Sequence, residues 1–173
     1  MTIRTKICKS LAETQALACE WVRGLEVGPP TKMTDLGESL GGFTAKSGAT
    51  VVGLSGDLGS GKTSFVQGVA NALGVSEHVT SPTFILERIY KLSVPKPSTY
   101  DLVPNTFSHL VHIDAYRLDS ASELKHLGFE ELVQNPDNLI LIEWPERVEG
   151  ALPKDMQVLK FEFIDESTRR ISF

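Results

Sequence analysis

The chain has 173 residues, a formal net charge of −5 and 41% hydrophobic residues. That length suits one domain with a real core, and the acidic balance excludes a global nucleic-acid-binding surface, leaving any such role local or indirect. Two cysteines without a C-x-x-C pair give no zinc or redox-dithiol pattern, and no apolar run is long enough for a membrane span or a signal peptide, so a soluble cytoplasmic protein with free thiols is expected.

Thr2 to Ile7 alternates as a short strand does. Ser10-Leu-Ala-Glu13 is a capping box that opens a helix, and Leu11, Ala18, Trp21, Val22 and Leu25 then recur near helical spacing. Trp21 is read as core, and Gly24 as the stop. From Gly28 to Gly48, Pro29-Pro30 and the glycines at 37, 41, 42 and 48 oppose a stable helix, although Leu36, Leu40 and Phe43 have helical spacing. This stretch is read as an insertion, either a surface loop or a lid.

Ala49 to Ser55 is an apolar run of the kind that makes a buried parallel strand. Gly56-Asp57-Leu58-Gly59-Ser60-Gly61-Lys62-Thr63 follows and fits the P-loop pattern G-x-x-x-x-G-K-[ST]. The spacing has a physical purpose. Glycines let the backbone turn so that several N–H groups converge on phosphate oxygens, and the helix that begins here, Thr63 to Leu73, adds its N-terminal dipole. Lys62 can reach the β- and γ-phosphates, and the Thr63 hydroxyl can ligate Mg²⁺. Gly74 stops the helix.

In Val-Thr-Ser-Pro-Thr-Phe, residues 79–84, Ser81-Pro82 fixes a turn. Thr83 then lies at a loop-to-strand junction, where P-loop enzymes place switch residues that feel the γ-phosphate; a structural Ser/Thr turn is the alternative. Phe84 to Leu92 reads as a strand and Ser93 to Asn105, with three prolines, as a loop. Leu110 to Ile113 is a buried strand with Asp114 at its C-terminal end, the end where open α/β sheets bind ligands. His112, on the same strand face, is read as a satisfied core histidine. Ser120-Ala-Ser-Glu123 is a second capping box, opening a helix to about His126, and Phe129 to Gln134 is another helical piece. Asn138 to Ile142 is a further apolar strand, and Glu143 directly after it occupies the place of a Walker-B-type acid. Asp155 to Phe163 and Arg169 to Phe173 form a closing hairpin. Two carboxylates and a P-loop hydroxyl at one sheet edge suffice to hold Mg²⁺ and orient water. A helix cap or salt bridge remains the alternative for Asp114, and a surface carboxylate for Glu143.

G-D-L-G-S-G-K-T, S-P-T-F, H-I-D-A-Y-R-L and L-I-E-W-P-E, in this order, resemble the TsaE family, and S-L-A-E-T resembles its opening. The resemblance covers most of the chain from Ser10 to the hairpin. It implies a P-loop ATPase that, with TsaB and TsaD, supports threonylcarbamoylation of tRNA adenosine 37, hydrolysing ATP to reset the TsaB–TsaD complex between turnovers, with tRNA engaged only through the complex. It also implies Thr63 and Glu143 as Mg²⁺ ligands, Lys62 on phosphate, and Asp114 positioning or activating water. By the same resemblance Trp144 would lie near the nucleotide or partner surface, and Thr83 would be switch-like. Residues 28–48 and the 93–105 loop are longer than the family pattern, which leaves the adenine contacts unassigned.

The expected fold is therefore α/β: a three-layer P-loop NTPase-like domain over residues 1–173, with a mostly parallel central sheet and an antiparallel C-terminal hairpin. ATP is favoured over GTP because N-K-x-D is absent. Two other functions fit parts of the pattern. A small-molecule or nucleoside kinase shares the P-loop, but no Arg-rich lid is seen, only Arg88 and Lys91 after the S-P-T-F turn. A non-enzymatic nucleotide sensor is opposed by the intact Lys62, Thr63, Asp114 and Glu143. Arg117 is a candidate partner contact or an internal salt bridge.

Overall fold

The computed structural model describes residues 4–25, 48–81, 86–92 and 107–173. The expected 28–48 insertion, apart from Gly48, lies outside them, as do Thr83 and the 93–105 loop. Seven strands form one sheet: β1 (Thr5–Cys8), β2 (Thr50–Ser55), β3 (Glu87–Lys91), β4 (His109–Asp114), β5 (Asn138–Glu143), β6 (Gln157–Phe163) and β7 (Arg169–Ser172). Their spatial order is β1-β7-β6-β2-β5-β4-β3. The middle is parallel (β6 with β2, β2 with β5, β5 with β4), while β1–β7, β7–β6 and β4–β3 pair antiparallel. The fold is thus the expected mixed α/β sheet, parallel in the middle and antiparallel at its edges. The C-terminal hairpin does more than close the chain: β6 extends the parallel centre, and β7 accepts the N-terminal strand.

Helices cover both faces. On one lie α1 (Leu11–Arg23) and α2 (Lys62–Ala72); on the other lie α3 (Ala121–His126) and α4 (Phe129–Gln134). The Ser10 hydroxyl caps α1 by accepting from the Glu13 N–H, and the Glu13 carboxylate accepts from the Lys9 N–H. That is one residue earlier than a standard capping box closes. In the second proposed box only the Glu half forms: the Glu123 carboxylate accepts from the Asp119 N–H at 3.4 Å, while the Ser120 side chain makes no cap bond and meets the Ser122 hydroxyl.

Alternation along β5 sorts its side chains between two cores. Leu139 and Leu141 join the α1/α2 core, and Ile140 and Ile142 the opposite one. Glu143 shares the parity of Leu139 and Leu141, so it faces the helix that carries the P-loop lysine. Trp21 is core, as expected; it packs on Phe65 with centroids 5.4 Å apart, and Phe65 packs edge-on against Phe161 of β6. Helices α1 and α2 approach closely at Gly68, where an added Cβ would lie 2.7 Å from the Ala18 Cβ. This contact seats the middle of α2 against α1. No described helix is long and apolar enough to cross a membrane.

Candidate functional site

The site is built at the C-terminal edge of the parallel strands. In register, Leu54 of β2 pairs with Glu143 of β5, which pairs with Asp114 of β4. The two carboxylates therefore end adjacent strands side by side, and the P-loop leaves β2 just beyond Leu54. Gly56, Gly59 and Gly61 have φ of 147°, 77° and 98°, conformations that disfavour any side chain. At Gly56 an added Cβ would also collide with the Phe161 carbonyl oxygen of β6.

A cavity of about 420 Å³ opens at this edge, and Leu58, Gly59, Gly61, Lys62, Thr63, Asp114, Glu143 and Trp144 all line it. Eight of the expected site residues are thus brought together. Three others stand behind it. The Gly56 and Asp57 carbonyls accept from Lys62 Nζ at 2.6 and 2.9 Å, and Ser60 is buried with its hydroxyl unpartnered among the described residues. An ammonium has three hydrogens, so one of Lys62's remains for an anion. Burial lowers the Lys62 pKa from its ordinary 10.5, and the neighbouring carboxylates, Glu143 first, oppose that shift.

The Thr63 hydroxyl donates to Glu143 Oε1 at 2.8 Å. Its single hydrogen is used there, which leaves its lone pairs for a cation. His112 Nε2 meets the same oxygen at 2.9 Å. Asp114 is held otherwise: Oδ2 accepts from the Ser81 hydroxyl at 2.6 Å, and Oδ1 accepts from the Tyr116 N–H, capping a 3₁₀ turn over Ala115–Arg117. The helix-cap alternative for Asp114 is therefore true of one oxygen, while the residue also lines the cavity.

Among the described residues, no three His, Cys, Asp or Glu side chains form a self-sufficient metal site. The donor set suits Mg²⁺ bound with a nucleotide, since that ion keeps waters and takes one or two protein carboxylates plus phosphate oxygens.

Trp144 follows Glu143 with φ 60°, ψ 49°, a left-handed conformation costing about 1–3 kcal/mol for a bulky residue. Its N–H donates to the Leu54 carbonyl. This geometry lays the indole against Lys62, whose Nζ is 4.0 Å from a ring centroid, and the Tyr116 ring packs on it at 5.1 Å.

Several cavity residues escaped the sequence reading. Leu11, Thr14, Tyr116, Glu166, Ser167 and Arg169 line it. The Arg169 guanidinium donates to the carbonyls of Gly59, Asp165 and Thr168, tying the β6–β7 turn to the P-loop. No local pattern announces this, because 110 residues separate Arg169 from Gly59. Ser81 had a signal in the S-P-T-F turn, but that turn pointed to Thr83. Arg117 is exposed in the 3₁₀ turn.

Residues 27–171 match the family model described as threonylcarbamoyl adenosine biosynthesis protein TsaE. The chain is 40% identical over 102 residues to the tRNA threonylcarbamoyladenosine biosynthesis protein TsaE of Borreliella burgdorferi, a match spanning 59% of this chain and 64% of that protein. It is 34% identical to the protein of the same name from Treponema pallidum, over 71% of this chain and 80% of that one. For the Streptomyces coelicolor protein the identity is 37%, over 75% and 78%. The crystal structure of Bacillus subtilis YdiB superposes with a TM-score of 0.66 at 23% identity, covering 99% of this chain and 84% of that one, which extends the likeness to the fold. With the family model spanning the P-loop, both carboxylate strand ends and the closing hairpin, the chain belongs to the TsaE family.

Proposed function

We propose that this protein is a Mg²⁺-dependent ATPase that acts with TsaB and TsaD in threonylcarbamoylation of tRNA adenosine, resetting that complex between turnovers. The observation that carries the ATPase reading is the Thr63 hydroxyl bonded to Glu143 Oε1 at 2.8 Å across a P-loop cavity, with Asp114 in register beside it. The names of the relatives support the pathway, and the family resemblance supports the partners.

In this reading the P-loop N–H groups and Lys62 bind the β- and γ-phosphates. Thr63 and Glu143 would hold Mg²⁺, which when bound neutralises charge developing on the phosphate oxygens. Asp114, oriented by Ser81 and the Tyr116 N–H, positions a water in line with the γ-phosphorus and accepts its proton. The water oxygen bonds to phosphorus as the bond to the β–γ bridging oxygen breaks, giving ADP and phosphate. The Trp144 indole covers Lys62 and limits water around it.

Among the described residues lining the cavity, the cations are Lys62 and Arg169, and the Arg169 guanidinium is engaged by three carbonyls. A kinase needs more cations around a transferred phosphoryl group, and a fast ATPase needs an arginine finger worth about 10³–10⁵ in rate. Hydrolysis by the isolated chain is therefore slow, and partners accelerate it. Phosphate release is measured with and without TsaB–TsaD, alongside a screen of nucleoside and small-molecule acceptors. Stimulation by the partners supports the proposal; a phosphorylated acceptor without net phosphate release would replace it with the kinase.

A further inference from the structure

His112 lies in the middle of a β4 face otherwise made for the core. Leu110 precedes it at the same parity, its cross-strand partner is Leu141, and both leucines are fully buried. His112 is also fully buried, and a leucine there would continue the apolar surface. Packing alone gives no reason for an imidazole. Its Nδ1 has no hydrogen-bond partner among the described residues, a state that buried polar atoms rarely occupy and that costs stability.

Against that cost stands one contact. Cross-strand register makes His112 and Glu143 diagonal neighbours on one face, and Nε2 meets Glu143 Oε1 at 2.9 Å. A carboxylate only accepts, so Nε2 bears the hydrogen and donates. Thr63 donates to the same oxygen from the other side. Two donors converging on Oε1 fix the rotation of the carboxylate, and Oε2 is left for the cavity that Glu143 lines.

We propose that His112 is a positioning residue for metal binding: its Nε2–H locks the Glu143 carboxylate in the orientation that presents Oε2, with the Thr63 hydroxyl, to the divalent ion accompanying the nucleotide. This rests on the Mg²⁺·nucleotide reading of the site. Hydrogen-bond partners of metal ligands typically contribute 10–100-fold to metal affinity.

The test measures Mn²⁺ affinity by electron paramagnetic resonance with saturating ADP, and ADP affinity separately in EDTA, on the full chain. His112→Leu removes the donor while keeping an apolar side chain of similar size; His112→Gln keeps an N–H near the position of Nε2. The expected result is an about 10–100-fold loss of Mn²⁺ affinity for His112→Leu, recovery to within about threefold of wild type for His112→Gln, and unchanged ADP affinity in EDTA. Wild-type Mn²⁺ affinity in His112→Leu would overturn the inference while leaving the site reading intact. Failure of the wild-type protein to bind ADP or Mn²⁺ would overturn both. Should His112→Leu not fold, long-range ¹H–¹⁵N correlation spectra of the wild-type imidazoles decide. A hydrogen on His112 Nε2 supports the proposal, and a bare Nε2 contradicts it.

Discussion

The ends of β4 and β5 look equivalent and are not. Each stops on a carboxylate that is almost fully buried, 4% exposed for Asp114 and 3% for Glu143, and the two residues are in register. Their partners differ. Among the described residues Glu143 is held by side chains, the P-loop's own Thr63 and the core's His112, both on one oxygen. Asp114 is held by a backbone N–H on one oxygen and by Ser81, from the loop after α2, on the other. Glu143 is thereby tied to the start of α2, next to Lys62. Asp114 is tied to Ser81, in the segment after α2. In the proposed mechanism, identical strand geometry would supply a metal-binding carboxylate in one place and a water-orienting one in the other, and the neighbours would decide which.

Breaking the Glu143 end has the largest expected effect. Glu143→Gln keeps the shape and the bonds at Oε1 but loses the charge, so Mg²⁺-dependent phosphate release falls by at least about 100-fold, beyond what loss of an outer-shell partner costs. Wild-type turnover with partners present would remove Glu143 from the metal site. Breaking the Asp114 end separates chemistry from binding. Asp114→Asn retains ATP affinity within a few-fold while kcat falls by about 10²–10⁴, the range attributed to general acid–base catalysis. If affinity collapsed and saturated turnover survived, Asp114 would be a binding residue.

A smaller effect comes from the hydroxyl that orients Asp114. Ser81→Ala removes one hydrogen bond to a carboxylate, worth about 1.5–3 kcal/mol at most, and lowers kcat by about tenfold without changing Mg²⁺ affinity. A shift in Mg²⁺ affinity larger than the loss in kcat would merge the two strand ends into one function. The smallest signal is a proton count. Because burial lowers the Lys62 pKa below its ordinary 10.5, the unfolded chain binds more protons between that lowered value and 10.5, so the nucleotide-free protein gains stability from this residue as pH rises through that window. Bound phosphate favours the charged ammonium and raises the pKa again. ATP binding therefore takes up protons increasingly as pH climbs into the window. Calorimetry in buffers of different ionisation enthalpy checks it, and the uptake vanishes in Lys62→Met.

The same contrast explains what could be read from the sequence. Strand ends were legible because each combines an apolar run with an abrupt charge: Asn138 to Ile142 then Glu143, Leu110 to Ile113 then Asp114. The P-loop was legible because its glycines occupy backbone conformations that other residues avoid. Partners reached through space were not. His112 read as core because its setting is core, and only the β4–β5 register reveals that its ring reaches Glu143. Arg169 carried no signal, since its bond to Gly59 exists only because β6 lies beside β2. The second capping box lost its serine half for a local reason: the Ser120 hydroxyl found Ser122 rather than the helix N–H groups, while Glu123 still accepts from the Asp119 N–H.

The most direct test of the proposed role is a time course of threonylcarbamoyladenosine formation on tRNA with TsaB and TsaD in catalytic amounts, comparing the wild-type chain, the Lys62→Ala variant and no added chain. If ATP hydrolysis at this site resets the complex, product continues to accumulate past one equivalent of TsaD only with the wild-type chain, and the other two reactions stop near one turnover. Repeated turnover with Lys62→Ala, or with no added chain at all, would contradict that role even if the protein hydrolyses ATP.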